Sequence, residues 1–198
     1  MKKGLVILIA AAAVVLGIFF WFQGNYNNMV KMDEGVQAAW SQVENVYQRR
    51  ADLIPNLVAT VKGYASHEQQ TLEGVISARS KATQITVNPE DLTSEQLAKY
   101  QKAQGELGSA LGKLLAITEN YPDLKANTNF LELQAQLEGT ENRIAVERKK
   151  FNDAARVYNT TIRQFPKNIV AAMFGFEKKP YFEAQEGAEQ APKVEFQK

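Results

Sequence analysis

Residues 36–64 read VQAAWSQVENVYQRRADLIPNLVATVKGY, and their apolar side chains fall at Val36, Trp40, Val43, Tyr47, Ile54, Leu57, Val61 and Tyr64. The steps alternate between four and three, and only position 50 on this line is polar, as Arg50. A mean period of 3.5 residues marks a helix that buries one seam against a neighbour, with left-handed twist as in a coiled coil. Two more seams follow. One runs through Leu97, Tyr100, Leu107, Leu111, Leu114 and Tyr121, broken by Gln104. The other runs through Phe130, Leu137, Ile144, Phe151, Ala155, Tyr158, Ile162 and Phe165, with Gln134, Glu141 and Arg148 on the same line. Strand-like alternation is confined to a few residues around Ile85–Val87. The pattern predicts an all-α fold, an antiparallel bundle of three long helices, or four if Pro55 divides the first.

Local chemistry sets the expected boundaries. Asn88-Pro89 ends the first helical stretch, and Thr93 with Gln96 forms a capping box for the next. Asn120-Tyr121-Pro122 closes that helix. Asn129 is the expected cap of the third, with Glu132 at the reciprocal position, and Pro166 is its stop. That third helix would be 36 or 37 residues and about 55 Å long. Pro55 is read as a kink, because the seam passes through it in phase and no glycine or cap residue adjoins it. The middle helix carries Gly105, Gly108, Ser109, Gly112 and Ala116. Each interior glycine costs up to about 1 kcal/mol against alanine, so close packing of a neighbouring helix is expected in return.

Upstream, LVILIAAAAVVLGIFFWF from Leu5 to Phe22 contains no charged or amide side chain over 18 residues. That is about 27 Å of helix, close to the hydrocarbon thickness of a bilayer. Lys2 and Lys3 precede it, and Trp21 and Tyr26 stand where an interfacial aromatic belt would lie. A cleaved signal peptide fits less well, since the run is long and Phe22-Gln23-Gly24-Asn25 offers no small-residue cleavage pattern. Residues 1–24 are therefore read as a membrane anchor contacting lipid through residues 5–22, with 25–184 as the bundle and 185–198 as a polar tail. The two lysines place the N-terminus in the cytoplasm and the bundle outside. Ile169–Phe176 is too short to span and is followed by charge, so a single pass is expected. The aromatic stretch Ile169, Val170, Met173, Phe174, Phe176, Tyr181 and Phe182 is read as a cap on the bundle end rather than a docking surface.

Much chemistry is excluded outright. Without cysteine there is no disulfide, thiolate nucleophile or lipid-modified cysteine, and a single histidine excludes two-histidine metal motifs. A net charge of +1 on 198 residues gives no basis for nucleic-acid binding. The remaining candidates are the seam charges Arg50, Glu141 and Arg148 and the pair His67-Glu68. Arginine beside a carboxylate lowers its pKa and spoils it as an acid or base near neutrality. An Arg–Glu cluster in a bundle more often fixes helix register, and His67 lacks further ligands at helical spacing. No catalytic, cofactor-binding or metal-binding residue is assigned.

Several long segments carry a resemblance. Residues 39–80, AWSQVENVYQRRADLIPNLVATVKGYASHEQQTLEGVISARS, resemble the LemA family of bacterial membrane proteins, above all in Arg49–Val58, Val61–Glu68 and Ala78-Arg79. The likeness continues through Leu137–Phe165 and Phe165–Phe182 to the terminal GAEQAPKVEF. It implies a single-pass protein of the bacterial cell envelope with an all-helical antiparallel bundle, and it brings no established activity. Genomic neighbours of such proteins include membrane peptidases and TPM-domain proteins, which suggests partners. Together the residues and the resemblance point to a non-catalytic interaction or scaffold module of the inner membrane. The alternative is an accessory or hydrolytic envelope enzyme using the seam carboxylates or His67 and Glu68. A one-helix stalk is disfavoured by Pro89, Pro122 and Pro166, and a chemoreceptor-like sensor by the single span.

Overall fold

A computed structural model describes residues 3–183; the tail read at 185–198, and Lys2, lie outside them. The described chain is helical and contains no strand. It comprises α1 (Lys3–Tyr64), α2 (Gln69–Gln84), α3 (Ser94–Thr118), α4 (Pro122–Lys125), α5 (Thr128–Arg163) and α6 (Lys167–Phe174). Four are long and two are short connectors, so the bundle has four main helices. The division lies at residues 65–68, however, and not at Pro55.

The apolar N-terminal run and the first bundle seam belong to one unbroken helix of 62 residues. Its most apolar window is wholly unburied and is long and apolar enough to cross a membrane. From Met29 onward the seam turns inward: Val36, Trp40, Val43, Tyr47, Ile54, Leu57 and Val61 are all buried, and Arg50 with them. Tyr64 is exposed at the end of α1, where its hydroxyl accepts from Asn127 Nδ2 at 2.9 Å.

Pro55 stays inside α1 because another helix supplies what it lacks. Proline has no N–H to give the carbonyl four residues back, here Ala51. Arg79 on α2 fills the gap, its Nε donating to the Ala51 carbonyl oxygen at 2.7 Å. The expected run from this helix to Asn88 is therefore incorrect, since α1 stops at Tyr64. Glu68 N bonds Ala65 O at 3.1 Å, and Thr71 N and Leu72 N both bond Glu68 O to start α2. The physical reason lies in the seam, which has no apolar residue at position 68. Leu72, Val75 and Ala82 are buried only once the chain reverses.

α3 begins as the sequence predicts. Thr93 Oγ1 accepts from Gln96 N at 3.2 Å and Gln96 Oε1 accepts from Thr93 N at 3.0 Å. α5 begins two residues earlier than expected, with Asn127, not Asn129, as its cap; Asn127 Oδ1 accepts from Phe130 N at 3.0 Å. Its 36 residues match the length read from the seam. Phe165 does not follow the seam, being at 83% the most exposed large apolar side chain among the described residues.

α1 and α5 pack antiparallel along most of the bundle, and α2 packs on both α1 and α3. The core forms two clusters. One holds Trp40, Tyr47, Tyr100, Phe151, Tyr158 and Phe182 at the end nearer the apolar run; the other holds Ile54, Leu57, Val75, Leu107, Leu114 and Phe130 at the far end. Arg50 falls between them in sequence, one turn from each. The C-terminal aromatic stretch divides its roles: Val170, Ala171 and Phe182 are buried and close the bundle end, whereas Ile169, Met173 and Phe174 are exposed.

Candidate functional site

Between α3 and α5 the bundle leaves a groove of about 440 Å³ floored by Tyr47 and Arg50 of α1. Its α3 wall is Gln104, Gly105, Gly108, Ser109 and Gly112, and its α5 wall includes Leu137, Glu138, Glu141 and Arg148. The glycines are not there for helix packing, which corrects the expectation of a close neighbour. A β-carbon added at Gly105 or Gly112 would meet nothing within 4 Å, and at Gly108 it would meet only Arg50 Nη1, at 4.0 Å. They leave α3 without side chains where the groove is open.

Arg50 is the buried charge of this groove. It is 3% exposed, and its Nη1 donates to Glu141 Oε2 at 2.9 Å. Its Nη2 donates to both Gln104 Oε1 at 2.6 Å and Gln104 O at 3.1 Å. The guanidinium carbon lies 5.1 Å from the Tyr47 ring centroid, within cation–π range. Only Nε lacks a hydrogen-bond partner among the described residues. Glu141 is 61% exposed in its side chain, so the pair joins a buried cation to a solvated carboxylate.

Arg148 does not join that pair. Its Nη2 donates to the Glu183 carbonyl oxygen at 2.9 Å, and its guanidinium lies 4.7 Å from the Phe182 ring centroid. Gln101 Nε2 donates to the same carbonyl oxygen at 2.8 Å, so Glu183 is held between α3 and α5 at the mouth of the groove. Burial raises the Tyr47 phenol above its ordinary pKa, against the opposing pull of Arg148 and Arg50. The Tyr100 phenol is raised further for the same first cause.

The chain reaches that mouth along α5, guided by two side chains the seam reading passes over. Asn159 Oδ1 accepts from Lys179 N at 2.9 Å while its Nδ2 donates to Lys179 O at 2.8 Å. One heptad earlier Asn152 repeats the arrangement with Phe182 N and O, at 2.8 and 2.9 Å. Each amide stands in for a neighbouring strand. Between them Lys179 pairs with Asp33 Oδ1 at 3.0 Å, tying the segment to α1. Phe182 then stacks on Trp40, with ring centroids 5.9 Å apart and 13° between planes. Two asparagines at i and i+7 beside Phe151 and Tyr158 were the available signal.

His67 and Glu68 occupy the α1–α2 turn at the far end of the bundle, well away from Glu141. His67 is exposed, and Glu68 Oε1 accepts the Tyr121 hydroxyl at 3.0 Å. That bond holds the Tyr121 phenol proton above its ordinary range. Among the described residues no three His, Cys, Asp or Glu side chains are grouped to hold a metal ion.

The model of the LemA family matches residues 39–196. Magnetosome protein MamQ 2 of Paramagnetospirillum magneticum is 31% identical over 175 residues, covering 80% of this chain and 64% of MamQ 2. Magnetosome protein MamQ of Magnetospirillum gryphiswaldense is 31% identical over 174 residues, with 79% and 64% covered. Protein LemA of Metamycoplasma hominis is 28% identical over 174 residues, covering 87% of this chain and 76% of that one. The chain thus spans a little under two thirds of the MamQ proteins it matches. The match takes in Arg50, the α3 glycines, Glu141 and both clamping asparagines, and on it the chain belongs to the LemA family.

Proposed function

We propose that this protein is a membrane-anchored, non-catalytic docking module of the bacterial cell envelope, and that the α3–α5 groove receives a helical segment of a partner membrane or envelope protein. The observation that carries this reading is the groove itself. Gly105, Ser109 and Gly112 lie at four- and three-residue spacing on an uncovered face, the small-residue pattern that lets a second helix backbone come close. Glu141, solvated on the groove wall and held by the buried Arg50, adds an oriented carboxylate to fix what docks there. The unbroken α1 supports the anchored part, since the same helix that carries Leu5–Phe22 forms the core of the bundle. In this reading residues 5–22 span the inner membrane, the N-terminus is cytoplasmic and the bundle is external. The hydrolytic alternative has less support: Arg50 occupies the inner face of Glu141, and Glu68 is engaged by a tyrosine.

The test is to fill the groove without disturbing the fold. Gly105→Leu and Gly112→Leu place side chains in open space. A photocrosslinker at Ser109 of the full chain in intact cells reports what lies there. The expected result is a discrete crosslinked protein that disappears in the leucine variants while the helical spectrum and melting temperature hold or rise. A crosslinked band that survives both leucines, or none from Ser109 in the parent, overturns the docking reading.

A further inference from the structure

We infer that α6 is a second membrane contact: its outer face enters the headgroup region of the bilayer in which α1 is anchored. The inference rests on the spanning reading of residues 5–22. A helix apolar on every side is normally buried on every side or lies against lipid. After its polar first residues Lys167 and Asn168, α6 (KNIVAAMF) is apolar all round from Ile169 to Phe174, yet it buries only Val170 and Ala171. Its other face, with Ile169 and Met173 one turn apart and Phe165 a turn before, is exposed and apolar, as is Phe174 beside it. Met173 is 64% exposed and Phe165 83%, so the ridge is a contiguous uncovered patch rather than a single exposed side chain.

Position decides the occupant. Tyr26 packs on Phe174 and Phe176, with ring centroids 4.7 and 5.7 Å apart. Tyr26 follows Phe22, the last residue of the apolar run, by four residues, or about 6 Å along the helix. Phe22 is itself partly buried against the bundle core. The base of the bundle therefore meets the end of the span with no gap, and the end of α6 lies about one turn beyond it, at headgroup level. Interfacial helices bury their apolar face by about 5–10 Å at the boundary between headgroups and acyl chains. With α1 across the bilayer, lipid is the surface that α6 meets at this depth. Trp21 and Tyr26, on either side of that boundary, are the side chains it favours.

The absence of cysteine makes the test direct. Full-length Ala12→Cys, Met173→Cys and Leu131→Cys, all at exposed positions, are labelled with an environment-sensitive fluorophore. Each is reconstituted in phosphatidylcholine vesicles, with or without brominated acyl chains. The expected result is strong quenching at residue 12, at least about half as much at residue 173, as an interfacial depth requires, and none at residue 131. Quenching at 12 but not at 173 overturns the α6 inference and leaves the span intact. Quenching at neither overturns the span, and the inference with it. A label at 173 that is shielded from water yet untouched by brominated lipid is covered by protein, another copy or a partner, and also overturns it.

Discussion

Arg50 is the residue through which the two core clusters and the groove meet, and its partners rank the consequences of losing it. Breaking a buried ion pair typically costs about 3–5 kcal/mol and an exposed one about 0–1. Glu141 is largely solvated and Gln104 would still hold the guanidinium. Glu141→Ala is therefore expected to cost an intermediate amount, about 1–2 kcal/mol by denaturant melts, and Arg50→Ala more. The seams place Arg50, Glu141 and Arg148 at polar breaks in apolar lines and suggest that both arginines couple to Glu141. Their partners differ, so Glu141→Ala and Arg148→Ala are expected to be additive; a coupling energy above about 0.5 kcal/mol contradicts this. The phenols give a second test. Tyr47 and Tyr100 have folded pKa values above their ordinary value of 10.0. Their contribution to stability is complete below that value and falls as pH rises past it, because the unfolded chain then releases protons the native one retains. Stability should decline above about pH 10, and less steeply in a Tyr47→Phe, Tyr100→Phe double variant. Arg50 was legible as a polar break in an apolar line. Gln104 was legible in the same way, but that these two breaks meet each other was not, because pairing across helices depends on rotation about each axis.

At the scale of the element, the long helices were visible because a seam repeated over many turns leaves few alternatives. Their ends were less so. The capping box at Thr93 and Gln96 is a chemical signature within four residues and was read as it stands. The α1–α2 turn has no proline and no side-chain cap, and its cause lies in what Leu72 and Val75 must cover. Pro55 shows the converse. The in-phase seam correctly kept it inside a helix, yet the residue that makes this tolerable is Arg79 on α2, 28 positions from the Ala51 carbonyl it serves. Arg79→Met should leave the Ala51 carbonyl short of a donor and cost about 1–3 kcal/mol. Pro55→Ala restores a backbone N–H to that carbonyl, so it should recover much of the loss in the Arg79→Met background. If the two substitutions simply add, Arg79 has another role. The glycines of α3 misled for a related reason: a missing side chain makes room for something, and sequence does not say whether this chain supplies it.

For the whole molecule, the sequence carried the class of fold, the unbroken apolar run and the family. It did not carry the gap between α3 and α5, where α3 packs on α2 instead. Topology remains the broadest expectation: protease added to intact spheroplasts should degrade the bundle, and protection of the whole body would place it in the cytoplasm instead. The length of α1 has a mechanical meaning. From Phe22 to Tyr64 it runs about 63 Å without a break, and no joint separates the membrane segment from the body. Such a helix is a lever. Transmembrane segments change tilt to match bilayer thickness, and a change of about 10° swings the far end of this one by about 11 Å. A contact on α6 would serve as the fulcrum. With residues 5–22 across the bilayer, as proposed, the turn at His67 would travel sideways with bilayer thickness, so that a change in the lipid beneath becomes a displacement far above it.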